Sequence, residues 1–181
     1  MATKTTQRNG RDILGIYLND HLAGSTVEME LAQRIAASAR HLPTSEDVLE
    51  RLAAEIREDR TALLEIMNAL GIQIQGYKVF AAWAGEKAGR LKLNGYLLNR
   101  SPLSSLEEVE MLRLGVEGKG AAWRTLREVA SRDSRLDAGR LDKLIMRAAR
   151  QADLLEELRS QVTDHLFGST FLERARPSVP R

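Results

Sequence analysis

Apolar residues recur every three or four positions through most of this chain, the period of helices with one buried face. The first such segment runs from about Asp12 to Arg40, with Leu14, Leu18, Leu22, Met29, Ala32, Ile35 and Ala36 on one stripe. Pro43 ends it. Thr44 or Ser45 is placed to cap a second helix that reaches Leu70 and stops at Gly71. Its stripe reads Leu49, Leu52, Ile56, Asp59, Leu63, Ile66 and Leu70.

A third helix is expected from about Tyr77 to Leu98, aligning Val79, Trp83, Glu86, Arg90, Leu93 and Leu97. Ser101-Pro102 breaks the chain, and Ser105 with Glu108 has the spacing of a capping box for a fourth helix ending near Ala130. Val109, Leu112, Val116, Lys119, Trp123, Leu126 and Ala130 form its stripe. The polar run from Ser131 to Ser134 reads as a turn. A fifth helix, from about Asp137 to Leu166, has Leu141, Ile145, Ala148, Ala152, Leu155, Val162 and Leu166 on one face. Short connections make sequence neighbours antiparallel neighbours in space, so the expected fold is all-α, an up-down antiparallel bundle of five helices. Residues 1–11 are expected to be flexible, 12–167 to form the single bundle domain, and 168–181, with Pro177 and Pro180, to be a disordered tail.

Ionisable residues interrupt four of these stripes near their midpoints: His21 and Glu28, Asp59, Glu86, and Lys119. Packed side by side, midpoints meet midpoints, and these groups would share one buried layer. Buried charge is costly unless it is paired or metal-bound, so the layer is either a site or a satisfied polar core. Glu55 lies one turn before Asp59, and Glu86 and Arg90 are spaced to pair within their helix. The fifth helix shows no matching interruption; Asp153 only flanks its stripe, and the helix reads as an apolar buttress. Glycines crowd the same level: Gly24, Gly85, Gly89, Gly115, Gly118 and Gly120. Each costs about 1 kcal/mol against alanine inside a helix, so such a cluster implies close packing or room for a ligand.

The simplest reading pairs Asp59 with Lys119 or His21 and fixes helix register. A lysine at the centre neutralises carboxylates without a metal ion. Trp83 and Trp123 read as core fillers with satisfied indole N–H groups. Together with Gly85, Gly89 and Gly115 they are also the lining that a small-molecule pocket would have.

Composition removes several classes. The 181 residues suit one domain, and 43% hydrophobic with 29% charged residues is ordinary for a globular protein. No cysteine is present, which excludes thiolate metal sites and cysteine nucleophiles and suits the cytoplasm. The net charge of +2 arises from 27 basic and 25 acidic residues that are interleaved, so no nucleic-acid stripe forms. Neither a secretory signal nor a membrane span is expected. The stretch Gly115 to Gly120 has the wrong glycine spacing for a phosphate loop and lacks Ser or Thr after Lys119.

An antiparallel helical array with acids and a histidine at its midplane resembles the ferritin-like superfamily. That resemblance implies a di-iron or di-manganese centre held by His21, Glu28, Glu55, Asp59 and Glu86, and an oxidoreductase activity. It also implies one long crossover, for which the third helix has the length. The chain departs from the family in motif: three residues after Glu55 stands Glu58, and no Glu-x-x-His occurs. The expectation is therefore a non-enzymatic, bacterial-type bundle without cofactor, in which His21, Glu28, Asp59, Glu86, Arg90 and Lys119 form a polar core network. Its partner is expected to be a second copy, as a dimer, or another protein, with no nucleic acid or membrane. The metal-binding oxidoreductase and the small-molecule binder stand as alternatives.

Overall fold

The computed structural model describes the backbone of residues 2–75 and 102–174 and the side chains of 13–40, 42–75 and 103–168. These residues form an all-helical bundle of four helices rather than five: α1 (Ala2–Ala36), α2 (Glu46–Leu70), α3 (Pro102–Val129) and α4 (Ala138–Arg174). The helix expected from about Tyr77 to Leu98 lies outside the described residues. A short 3₁₀ turn, Ala39–His41, follows α1. No helix among the described residues is long and apolar enough to cross a membrane.

Helix boundaries follow local chemistry. Ser45 precedes α2 in an extended conformation, but its side chain makes no capping hydrogen bond. Its carbonyl accepts from Val48 and Leu49 instead. Gly71 ends α2 with φ 65°, a left-handed conformation that an L side chain resists. The expected capping box at Ser105 and Glu108 is not the start of α3. That helix begins at Pro102, whose missing N–H and fixed φ suit a first helical position. Asp137 caps α4, its Oδ1 accepting from the Arg140 N–H at 3.0 Å. Helices α1 and α4 extend beyond their apolar stripes, because polar helical ends carry no periodicity by which a sequence pattern can find them.

Two apolar clusters fill the bundle, one toward each end. One joins Ile35 of α1, Leu49 and Ile56 of α2, Leu112 of α3 and Leu155 of α4. The other joins Leu18, Met67, Leu126 and Leu141 from the opposite ends of the same helices. Helix α1 therefore runs antiparallel to α2 and α3, and α4 runs antiparallel to both as well. Helices α2 and α3 are parallel, which corrects the simple up-down order: α2 stops at one end of the bundle and α3 starts at the other. Close packing holds α1 against α2 and α3, and α3 against α4. The α2–α4 side is more open, with a groove of about 700 Å³ along it.

The inward positions repeat with alternating steps of three and four. In α2 they are Leu49, Leu52, Ile56, Asp59, Leu63, Ile66 and Leu70, all buried. In α4 they are Leu141, Leu144, Ala148, Gln151, Leu155, Leu158 and Val162, also all buried. Asn19 of α1 fastens the chain beyond Gly71, donating to the Gln73 carbonyl at 3.1 Å and accepting from the Gln75 N–H at 2.8 Å. Arg135, in the turn before α4, donates to the Leu70 carbonyl at 2.9 Å and so sets a cation on the negative end of α2. Replacing Gly71 with alanine is expected to destabilise the fold by about 1–2 kcal/mol through its left-handed backbone. An unchanged midpoint in urea denaturation would contradict that account.

Candidate functional site: a four-helix ionic layer

Between the two apolar clusters, each helix contributes at least one polar side chain to a shared level. Glu28 comes from α1, Asp59 from α2, Lys119 from α3 and Gln151 from α4, and all four are buried. Each stands where its helix's inward series would otherwise place an apolar residue. The antiparallel packing brings these interruptions to one height.

Lys119 is the hub. Its Nζ lies 2.8 Å from Asp59 Oδ2 and donates to Gln151 Oε1 at 2.9 Å. Glu28 Oε2 is farther, at 3.5 Å, an ion pair without a directed hydrogen bond. Gln151 reads the layer from both ends of its amide. Its oxygen accepts from Lys119, while its Nε2 donates to Glu55 Oε2 at 3.0 Å and to Asp59 Oδ2 at 3.3 Å. Arg147 of α4 adds a second cation: Nη1 donates to Glu58 Oε2 at 2.8 Å, and Nη2 pairs with Asp59 Oδ1 off hydrogen-bonding alignment. Asp59, only 1% exposed, is thus compensated on both oxygens by charge.

Glu28 is held less well. Burial pushes its carboxyl above the usual carboxylate range and Asp59 adds to that, against the pull of Lys119. Gly115 of α3 makes room for it: a Cβ there would sit 2.7 Å from Glu28 Cγ. This glycine therefore permits close approach. Gly24 and Gly118 differ, since a Cβ at either would meet nothing within 4 Å.

His21 is half-buried beside the layer, its ring edge-on to Tyr17 with centroids 4.5 Å apart. Burial lowers its pKa, partly offset by Asp20. With Ser25, Glu28, Asp59, Lys119 and Trp123, His21 lines a void of about 10 Å³, room for about one water molecule. Trp123 fills core as its position implies, at 1% exposed, but its indole N–H lacks the expected partner among the described residues. Ser25, also buried, donates to the Leu22 carbonyl at 2.6 Å.

The structure thus brings Glu28, Glu55, Asp59 and Lys119 together and sets His21 and Trp123 at the edge of the group. Trp83, Gly85, Glu86, Gly89 and Arg90 lie outside the described residues. Helix α4 is not the apolar buttress expected of it, because Gln151 and Arg147 project from it into the layer. The signal was present: Leu144, Gln151 and Leu158 are seven apart on the inward series, one position from the Ile145 and Ala152 face that the hydrophobic pattern favours. A glutamine among leucines is easily passed over, since it carries no charge.

The donor set does not fit the di-metal centre that the ferritin-like resemblance implies. Among the described residues no three His, Asp or Glu side chains are arranged to hold a metal ion. The places that α3 and α4 would use for carboxylates carry Lys119 and Gln151. No protein-family model, curated protein or solved structure matches the chain.

Truncating Lys119 to alanine, or Asp59 to alanine, is expected to cost about 3–5 kcal/mol, since each leaves the other buried and unpaired. The double variant should cost less than the sum of the two, and a double-mutant cycle by urea denaturation with zero coupling energy would discard the pair. Glu28 supplies a pH test. A carboxyl raised in the folded state binds more protons there than in the unfolded chain, so its contribution falls as pH climbs from the usual carboxylate range to the raised value. The stability of Glu28→Gln relative to wild type should therefore rise with pH through that window; a flat difference would remove the burial effect.

Proposed function

We propose that this protein is a non-enzymatic, cytoplasmic, ferritin-like helical bundle that acts through its outer faces on a partner or a second copy of itself. Its interior layer is an ion-pair network that fixes helix register. The observation that carries this reading is the Lys119 ammonium, 2.8 Å from Asp59 and 3.5 Å from Glu28, at the level where a metal would have to sit. A fixed cation compensates these carboxylates from within the chain, and Arg147 completes the compensation of Asp59.

The ferritin-like part of the proposal draws support from connectivity. Parallel α2 and α3, antiparallel neighbours throughout, and polar side chains from every helix at mid-bundle make up that arrangement, with its single crossover between the second and third bundle helices. In this reading Lys119 and Gln151 stand in the places of carboxylate ligands. The layer keeps the geometry of a four-helix site with the metal chemistry replaced by an ammonium and an amide. Such a network contributes specificity more than stability, because an apolar layer of similar volume packs without desolvating charge.

Elemental analysis of protein purified without chelator tests the proposal. Iron and manganese are expected well below stoichiometric, and unchanged in Asp59→Ala. Stoichiometric iron or manganese that is lost on that substitution would overturn it in favour of a metal-binding oxidoreductase.

A further inference from the structure

The groove on the α2–α4 side and the outer face of α3 have opposite charge and similar length. In the groove, Arg140 pairs with Glu65 and Arg147 with Glu58, forming rungs between the two helices. Arg57, Lys143 and Arg150 stand on the walls without a carboxylate partner among the described residues, and Arg51 extends the basic margin. Six basic side chains in all (Arg51, Arg57, Arg140, Lys143, Arg147, Arg150) face three acidic ones (Glu55, Glu58, Glu65), an excess of three positive charges. Its floor is a narrow apolar strip of Ala62 and Leu144, both 5% exposed, and Met146, 61% exposed, stands on the outer edge of α4. Basic margins around an apolar strip fit an amphipathic helix with acidic flanks better than they fit a uniformly charged polyanion.

Helix α3 displays such a surface on the side away from the core. Leu114, 65% exposed, is central, with Met111 one turn before it. Glu107, Glu110 and Glu117 are exposed around them, within an arc of about 120° at 100° per residue. From Glu107 to Glu117 the ridge is about 15 Å long; the groove, from Ala54 to Glu65, is about 17 Å. The chain's own segment 76–101 has the wrong sign for this groove, with Lys78, Lys87, Arg90, Lys92 and Arg100 against Glu86.

We infer that the protein self-associates head to tail, the acidic Leu114 ridge of α3 in one copy seated in the basic α2–α4 groove of the next. Ridge and groove are different patches, so the contact is heterologous and propagates to a closed ring or an open filament rather than stopping at a two-fold dimer. This names the partner within the function proposed above and rests on that reading.

Sedimentation velocity on the full chain tests it with two charge reversals, E107K/E110K/E117K on the ridge and R57E/K143E/R150E in the groove. Wild type should associate at about 20 mM salt and dissociate toward about 500 mM, where the Debye length falls to a few ångströms. Each reversal alone should weaken association at least about tenfold, since like charges then face each other, and an equimolar mixture of the two should restore it. Circular dichroism checks that each variant is folded. If a triple variant is not, Leu114→Ser and Met146→Ser probe the same contact without altering charge, and each should weaken association. A wild type that stays monomeric at about 0.5 mM and low salt overturns the inference, and so does association that neither reversal weakens or that mixing fails to restore. All three results leave the ion-pair reading of the layer untouched, because elemental analysis tests that separately.

Discussion

The fold depends on bringing one lysine ammonium to the carboxylates of two other helices inside the bundle. Lys119, Asp59 and Glu28 are each at most 7% exposed, and none could be ionised there alone at tolerable cost. Helices α1, α2 and α3 must therefore meet at one height and one rotation. A slip of one turn in any of them, about 5.4 Å, would leave a charge against leucine. Gln151 extends the constraint to α4, because its amide is satisfied only when oxygen faces Lys119 and nitrogen faces Glu55 and Asp59. The apolar clusters on either side supply adhesion, and the layer between them supplies register.

Unequal compensation within the layer has consequences. Asp59 meets cations on both oxygens, whereas Glu28 has only a distant ammonium and a carboxyl pushed upward by burial. Gly115 is the cost of keeping Glu28 in place, a glycine inside a helix that no larger residue could replace without displacing the carboxylate. The same layer explains why a four-helix bundle with polar side chains at its midplane need not bring metal chemistry with it. Antiparallel neighbours and one crossover are properties of the backbone, and the ligands are a separate choice of side chains.

Much of this was legible in the chain. The three-four spacing of Leu49, Leu52, Ile56, Leu63 and Ile66 makes α2 a helix with one buried face, and Asp59 on that series marks a polar level. Lys119 stands out on α3 for the same reason. Gln151 did not stand out, because an uncharged side chain on a leucine-rich helix leaves two adjacent faces nearly equal in hydrophobicity. The polar ends of α1 and α4 were illegible too, since exposed helix without a stripe looks like any polar segment. The glycines near the layer looked alike in sequence, yet Gly115 meets Glu28 while Gly24 and Gly118 meet open space.

The sequence by itself determined an all-helical chain, the inward face of α2 and α3, and the residues that interrupt those faces. Periodicity is a local property, carried within about two turns, and needs no partner to be read. Only the tertiary structure decided which interruptions meet: that Asp59 takes Lys119 rather than His21, that Arg147 and Gln151 join them, and that α2 and α3 run parallel. Those outcomes depend on how four separate faces are rotated and ordered around a common axis. No spacing along one chain encodes that arrangement until the apolar surfaces pack and exclude water from the charges between them.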